Sequence, residues 1–151
     1  GLLKRHSVTP ERVVLEITGS QHLPASPIWR ETADQLRALG IGLAMGDFGS
    51  GYSSMQQLLE FPFTHVKIDR VITQAHERPG AADLAAAVAA ITSGSGMITI
   101  VECIDTNDQL TTMQKSGYRF GQGFLFHRPE PLADVMASVA SPILTSTRDV
   151  N

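Results

Sequence analysis

Met45-Gly46-Asp47-Phe48-Gly49-Ser50-Gly51-Tyr52-Ser53-Ser54 is an apolar strand end that runs straight into a loop rich in glycine and hydroxyl groups. Such a strand delivers the carboxylate of Asp47 to a mouth. Gly49 and Gly51 tolerate backbone angles that other residues resist, so the loop can turn sharply, bring main-chain N–H groups near a ligand, or change shape. Working outward, Leu15-Glu16-Ile17-Thr18 lies before it. Val66-Lys67-Ile68-Asp69, Ile100-Val101-Glu102 and Gly121-Gln122-Gly123-Phe124-Leu125-Phe126 follow in that order.

These stretches alternate with helical patterns. Val13 to Thr18 is a short β-branched run that reads as a buried parallel strand, in which Glu16 must be paired, hydrogen-bonded or metal-bound. Ser26 and Pro27 suit a cap and first turn; Trp29, Ala33, Leu36 and Leu39 then recur at helical spacing, with Trp29 expected in the core and Gly40 as the stop. Ile41 to Met45 is the next strand, and a short helix through Met55, Leu58 and Leu59 ends before Pro62. Phe63 to Asp69 is a third strand, whose Lys67 is expected to point opposite to its apolar neighbours, into the barrel or to its rim. A helix from Asp83 to Ile91 carries Leu84, Val88 and Ile91 on one stripe and is closed by Gly94-Ser95-Gly96. Met97 to Glu102 is the most strand-like segment. Thr106 and Gln109 fit a capping box, Gly117 stops that helix, Phe120 to Phe126 is the last strand, and Pro131 opens a final helix. The alternation predicts an α/β fold with a parallel sheet whose polar groups gather at the strand C-terminal ends.

Composition sets the bounds. The chain has 151 residues, 42% hydrophobic and 18% charged, with a net charge of −3, which suits a single globular domain over 1–140 and a polar tail over 141–151. Lys and Arg are scattered, so duplex nucleic acid is not an expected partner. No apolar run nears the roughly 20 residues of a membrane helix and no secretion signal is present, so a cytoplasmic location is expected. The single cysteine, Cys103, has no partner for an internal disulfide and no neighbour at zinc spacing; a small buried thiol is expected. His65 and His127 likewise have no partner at metal spacing.

At one mouth, Glu16, Asp47, Lys67, Glu102 and Gln122 could converge although they are far apart in the chain. Clustered carboxylates suit magnesium or manganese, and paired ions suit phosphodiester hydrolysis. Together the quoted stretches resemble the C-terminal part of the EAL family, the (β/α) barrel phosphodiesterases and receptors of cyclic di-GMP in bacterial signal transduction. The resemblance implies a partial TIM-like barrel of about five β/α units, against about 250 residues for a whole one. It implies that Glu16, Asp47 and Glu102 match metal-binding carboxylates, that Lys67 matches the lysine near the attacking water, and that Gln122 helps hold this network. It implies that Phe48, Gly49, Ser50, Gly51, Tyr52 and Ser53 form the mobile loop coupling the metal site to dimerisation.

The departures from the family pattern matter as much. Gly46 replaces the first of two adjacent aspartates, Gly19 replaces the second acid of Glu-Leu-Thr-Glu, and Cys103 and Asp105 replace a glycine and a glutamate. The strands bearing the Glu-Ala-Leu signature and the ligand asparagine are not in this sequence. The resemblance therefore implies an incomplete shell, with magnesium or manganese weakly held or absent and Lys67 vestigial. The leading expectation is a non-hydrolytic module, acting as a cyclic di-GMP receptor or as a protein-interaction scaffold. A phosphodiesterase completed by upstream strands and a dimerisation remnant that binds no nucleotide stay open. Self-association or a missing segment is expected to close the open side of the sheet, and a protein partner or a homodimer is expected.

Overall fold

The computed structural model describes residues 1–18, 27–51 and 55–140. Five parallel strands run side by side in chain order: β1 (Val14–Ile17), β2 (Gly42–Phe48), β3 (His65–Ile68), β4 (Ile98–Val101) and β5 (Phe120–Gly121). A helix α1 (Leu2–Arg5) and a 3-10 turn (Pro10–Arg12) precede them. The crossovers carry α2 (Pro27–Ala38), α3 (Met55–Glu60), α4 (Arg70–Gln74) with α5 (Ala81–Gly94), and α6 (Asn107–Lys115); α7 (Leu132–Ala140) follows the sheet. Each strand pairs with the next in the chain, so the sheet winds in one direction, as a partial TIM-like barrel must. All strand C-terminal ends therefore lie along one rim.

The core sits between the central strands and the helices. Val66, Ile68 and Val101 are fully buried, with Leu43, Met45, Ile104 and Met113 around them. Thr99 donates to the hydroxyl of Thr92, which in turn donates to the carbonyl of Val88, so two buried hydroxyls are satisfied. The capping box forms as the spacing predicts: Thr106 accepts from the Gln109 N–H, and the Gln109 side chain accepts from the Thr106 N–H. Gly40, Gly96 and Gly117 all take positive φ just after helices, as the sequence reading expects of helix stops.

Several expectations are corrected. The strand through Val13 to Thr18 is not buried: β1 pairs only with β2 among the described residues, leaving Val14 45% and Leu15 42% exposed at the sheet edge. The last strand is not Phe120 to Phe126 but stops at Gly121, because the chain turns there. The N–H groups of Phe126 and His127 both donate to the Gly123 carbonyl. Trp29 is 47% exposed rather than in the core; α2 buries Ala33, and its first turn stays uncovered. On α5 the buried face is Ala81, Ala85, Ala89 and Thr92, while Leu84 and Ile91 face outward. Small side chains let this helix come close to the sheet, where a leucine stripe would hold it off. The helix α4 carries no strong hydrophobic period, and its start is set by the Asp69 side chain accepting from the Val71 N–H.

Tyr118 ties α5 to the segment before β5, its hydroxyl donating to the Ala85 carbonyl at 2.9 Å inside the core. Burial pushes its phenol pKa from 10.0 up to about 12. A group raised in this way contributes stability that is complete below pH 10.0 and is lost as the pH climbs toward about 12. Tyr118→Phe is expected to cost about 1 kcal/mol in urea unfolding at neutral pH. The variant should lose less stability than the wild type as the pH is raised through that window; an unchanged gap between them would contradict the assignment.

Candidate functional site

The rim is built from strand ends. Along β3, Val66 and Ile68 point into the core and Lys67 points the other way, as alternation requires. Its ammonium donates to Glu16 Oε2 at 2.9 Å and lies 2.6 Å from Glu102 Oε1. The three side chains are shielded, with 16% of Lys67, 19% of Glu102 and 35% of Glu16 exposed. Glu102 follows β4, the neighbour of β3, but Glu16 belongs to β1, two strands away. Neighbouring strands are about 4.8 Å apart, so the bridge from Lys67 to Glu16 crosses over β2.

Gly46 lies beneath that crossing. It is buried on β2, and a Cβ placed on it would lie 2.6 Å from Glu16 Oε1. Beside it the pairing of β2 with β3 slips: Met45 pairs with Val66 and Phe48 with Ile68, so Gly46 and Asp47 together face Lys67. This is a β-bulge, a device that re-aims side chains next to functional sites. Asp47 takes φ 53°, a left-handed conformation that aspartate accepts more readily than most residues. The Ser50 N–H and hydroxyl both bond to the Asp47 carbonyl and fold the first turn of the following loop.

The structure brings Glu16, Lys67 and Glu102 into direct contact and sets Asp47 at the bulge opposite Lys67. Gln122 follows β5 and is exposed; its main chain bonds to Val101 and Ile104, which places it at the same rim, but among the described contacts its side chain does not join the ion-pair cluster. Phe48 is buried, Gly49 lies against Ile72, Gly51 is exposed, and Tyr52 and Ser53 lie outside the described residues. Two supports were not foreseen. Thr73, fully buried on α4, donates to the Glu102 carbonyl at 2.8 Å and fixes the main chain there. Asp105 accepts from the Phe124 N–H at 3.0 Å and closes the turn after β5. The Asp69 cap before α4 was a readable signal, whereas nothing local marks Thr73.

Electrostatics agree with the distances. Burial pulls the Lys67 pKa down, but the hydrogen bonds and charges of Glu102 and Glu16 outweigh it and hold the ammonium above its usual value. Burial, with the charges of Asp105 and Glu102, pushes the neighbouring Cys103 thiol up, away from the reactive thiolate. Cys103 is half-buried and takes φ 57°, a conformation suited to the glycine it replaces in the family pattern. The oxygen donors at the rim are chemically right for a hard divalent ion. Their arrangement is not: Glu16 and Glu102 both face an ammonium, position 46 has no side chain, and among the described residues no group of three His, Cys, Asp or Glu is placed to hold a metal.

The comparisons with known proteins agree with this architecture. A family model described as the EAL domain matches residues 1–129. The chain is similar to the cyclic di-GMP phosphodiesterase RocR of Pseudomonas aeruginosa, 36% identical over 131 residues, covering 86% of this chain and 33% of RocR. Among solved structures it is similar to the EAL domain of Mycobacterium smegmatis DcpA, with a TM-score of 0.84 and 29% identity, covering 93% of this chain and 63% of that one. It is also similar to Klebsiella pneumoniae BlrP1 in a manganese and cyclic di-GMP complex, with a TM-score of 0.78 and 29% identity, covering 84% of this chain and 33% of that one. The chain thus spans about a third of RocR and under two thirds of the DcpA domain. The fold, the order of the strand-end motifs and the family match lead to one conclusion: the chain belongs to the EAL-domain family.

Proposed function

We propose that this chain is a non-hydrolytic EAL module of cyclic di-GMP signalling, acting as a nucleotide receptor or as a protein-interaction scaffold. The observation that carries the reading is the Lys67 ammonium standing between Glu16 and Glu102, beside a position 46 that offers no carboxylate. In-line hydrolysis of a phosphodiester by paired ions needs two metals about 4 Å apart, one beside the attacking oxygen and one beside the leaving oxygen. Here the nearest carboxylates are instead tied to one ammonium. The turn after Asp47 and the position of Gln122 at the rim favour a retained ligand-facing surface over a purely structural remnant.

A second reading, a phosphodiesterase completed by upstream strands, draws support from the likeness to RocR. Gly46 argues against it wherever such strands come from, because glycine cannot coordinate through a side chain. Apolar groups are open at both sheet edges, Val14 and Leu15 on β1 and Phe120, Phe124 and Phe126 on and after β5, which self-association or further barrel strands would cover. No helix among the described residues is long and apolar enough to cross a membrane.

Conversion of cyclic di-GMP to its linear form, followed by chromatography in magnesium or manganese, is expected to stay at the metal-only blank. Gly46→Asp alone should leave it there, since these 151 residues do not include the family's Glu-Ala-Leu strand. Turnover by the wild type overturns the reading; turnover only in the variant makes Gly46 the dominant lesion. Equilibrium dialysis with the intact nucleotide separates receptor from scaffold. Light scattering tests association: a well-folded monomer of 16.3 kDa counts against the scaffold.

A further inference from the structure

Glycine at position 46 is not required by a positive φ. Gly40, Gly49, Gly51, Gly80, Gly96 and Gly117 take positive φ, but Gly46 does not. It lies mid-strand, where glycine weakens a sheet unless another group must come close. The group that comes close is the Glu16 carboxylate. A Cβ at position 46 would stand 2.6 Å from Oε1 and 3.4 Å from both Cδ and Cγ of Glu16. The other oxygen, Oε2, receives the Lys67 ammonium at 2.9 Å. One carboxylate thus rests on the bare backbone of β2 and at the same time reaches across it to a lysine on β3. A side chain at position 46 would meet the flexible end of Glu16, which must shift to make room.

We infer that Gly46 converts the strand-end carboxylates into a closed, cation-independent cluster, in which the Lys67 ammonium is the counter-charge and no divalent ion is taken up between Glu16 and Glu102. Glycine here is not merely a missing ligand. It is the space that lets Glu16 and Glu102 share the Lys67 ammonium without a metal, leaving one net negative charge on the cluster. A carboxylate at position 46 would crowd the Glu16 carboxylate and set two acids side by side, an arrangement that a divalent cation between them favours. The inference concerns the ion alone and holds whether the module binds nucleotide or a protein, so its test needs neither.

The test uses manganese alone as the probe, on the wild type, Gly46→Ala and Gly46→Asp, reading thermal midpoints in chelator and in millimolar manganese, with calorimetric titration of the ion. The wild-type midpoint should be the same in both conditions. Gly46→Ala should lower the midpoint without any response to manganese, because it crowds Glu16 but adds no ligand. Gly46→Asp should be lower still in chelator and regain stability with manganese, binding it at least about tenfold more tightly than the wild type, or about 1.4 kcal/mol. A wild type that manganese stabilises as strongly as Gly46→Asp overturns the inference, as does a Gly46→Ala midpoint equal to the wild type. Should Gly46→Asp fail to fold, backbone amide spectra of the wild type decide. Selective broadening of Glu16, Lys67 and Glu102 by manganese overturns the inference, and its absence upholds it.

Discussion

One ammonium between two carboxylates is the interaction on which the rest of this rim depends. Only 16% of the Lys67 side chain is exposed, so its charge has few waters to face. A shielded charge persists only if it is paired and hydrogen-bonded, and removing one partner leaves the others uncompensated. The pairing also sets geometry. To reach Glu16 on β1 the lysine must cross β2, and the strand it crosses is the one that carries glycine at that point.

The surrounding structure maintains this crossing from several directions. The bulge at Gly46 and Asp47 lets two residues of β2 face the single Lys67 and turns the strand into the glycine-rich loop. Behind Glu102, the buried hydroxyl of Thr73 holds the strand-end carbonyl, so α4 fixes the level at which that carboxylate leaves the sheet. Gly49 rests against Ile72 of the same helix. The loop after Asp47 and the strand end at Glu102 therefore share one short helix as support. That gives a physical route by which a change at the loop could be felt at the ion pairs, and it requires no contact between the two.

Much of this was legible in the sequence, and the exceptions have physical reasons. Strand positions followed from β-branched runs, and helix ends followed from Gly40, Gly117 and the Thr106 to Gln109 box, because these are local signals. The opposed direction of Lys67 followed from simple alternation. What failed was decided by neighbours. The β1 run looks buried, but burial depends on a strand beyond it, and among the described residues none pairs there. The leucines of α5 form a helical stripe, yet the alanines face the sheet because they permit closer approach. Phe120 to Phe126 reads as one strand, but the contact of Gly123 with the Ile104 backbone bends the chain after Gly121. The role of Gly46 divides the same way: its lack of a ligand is plain in the sequence, whereas the Glu16 carboxylate filling its place becomes visible only when β1 and β3 flank β2.

The central claim is that the Lys67 ammonium holds Glu16 and Glu102 together, and the unfolding free energy of Lys67→Met at neutral pH tests it most directly. Leaving two partly shielded carboxylates without their counter-charge should cost about 1–3 kcal/mol, between the cost for an exposed pair and that for a buried one. Adding Glu16→Gln to that variant should recover part of the loss, since one of the two uncompensated charges is then gone. A loss below about 1 kcal/mol for Lys67→Met, of the size expected from an exposed surface pair, would contradict the account.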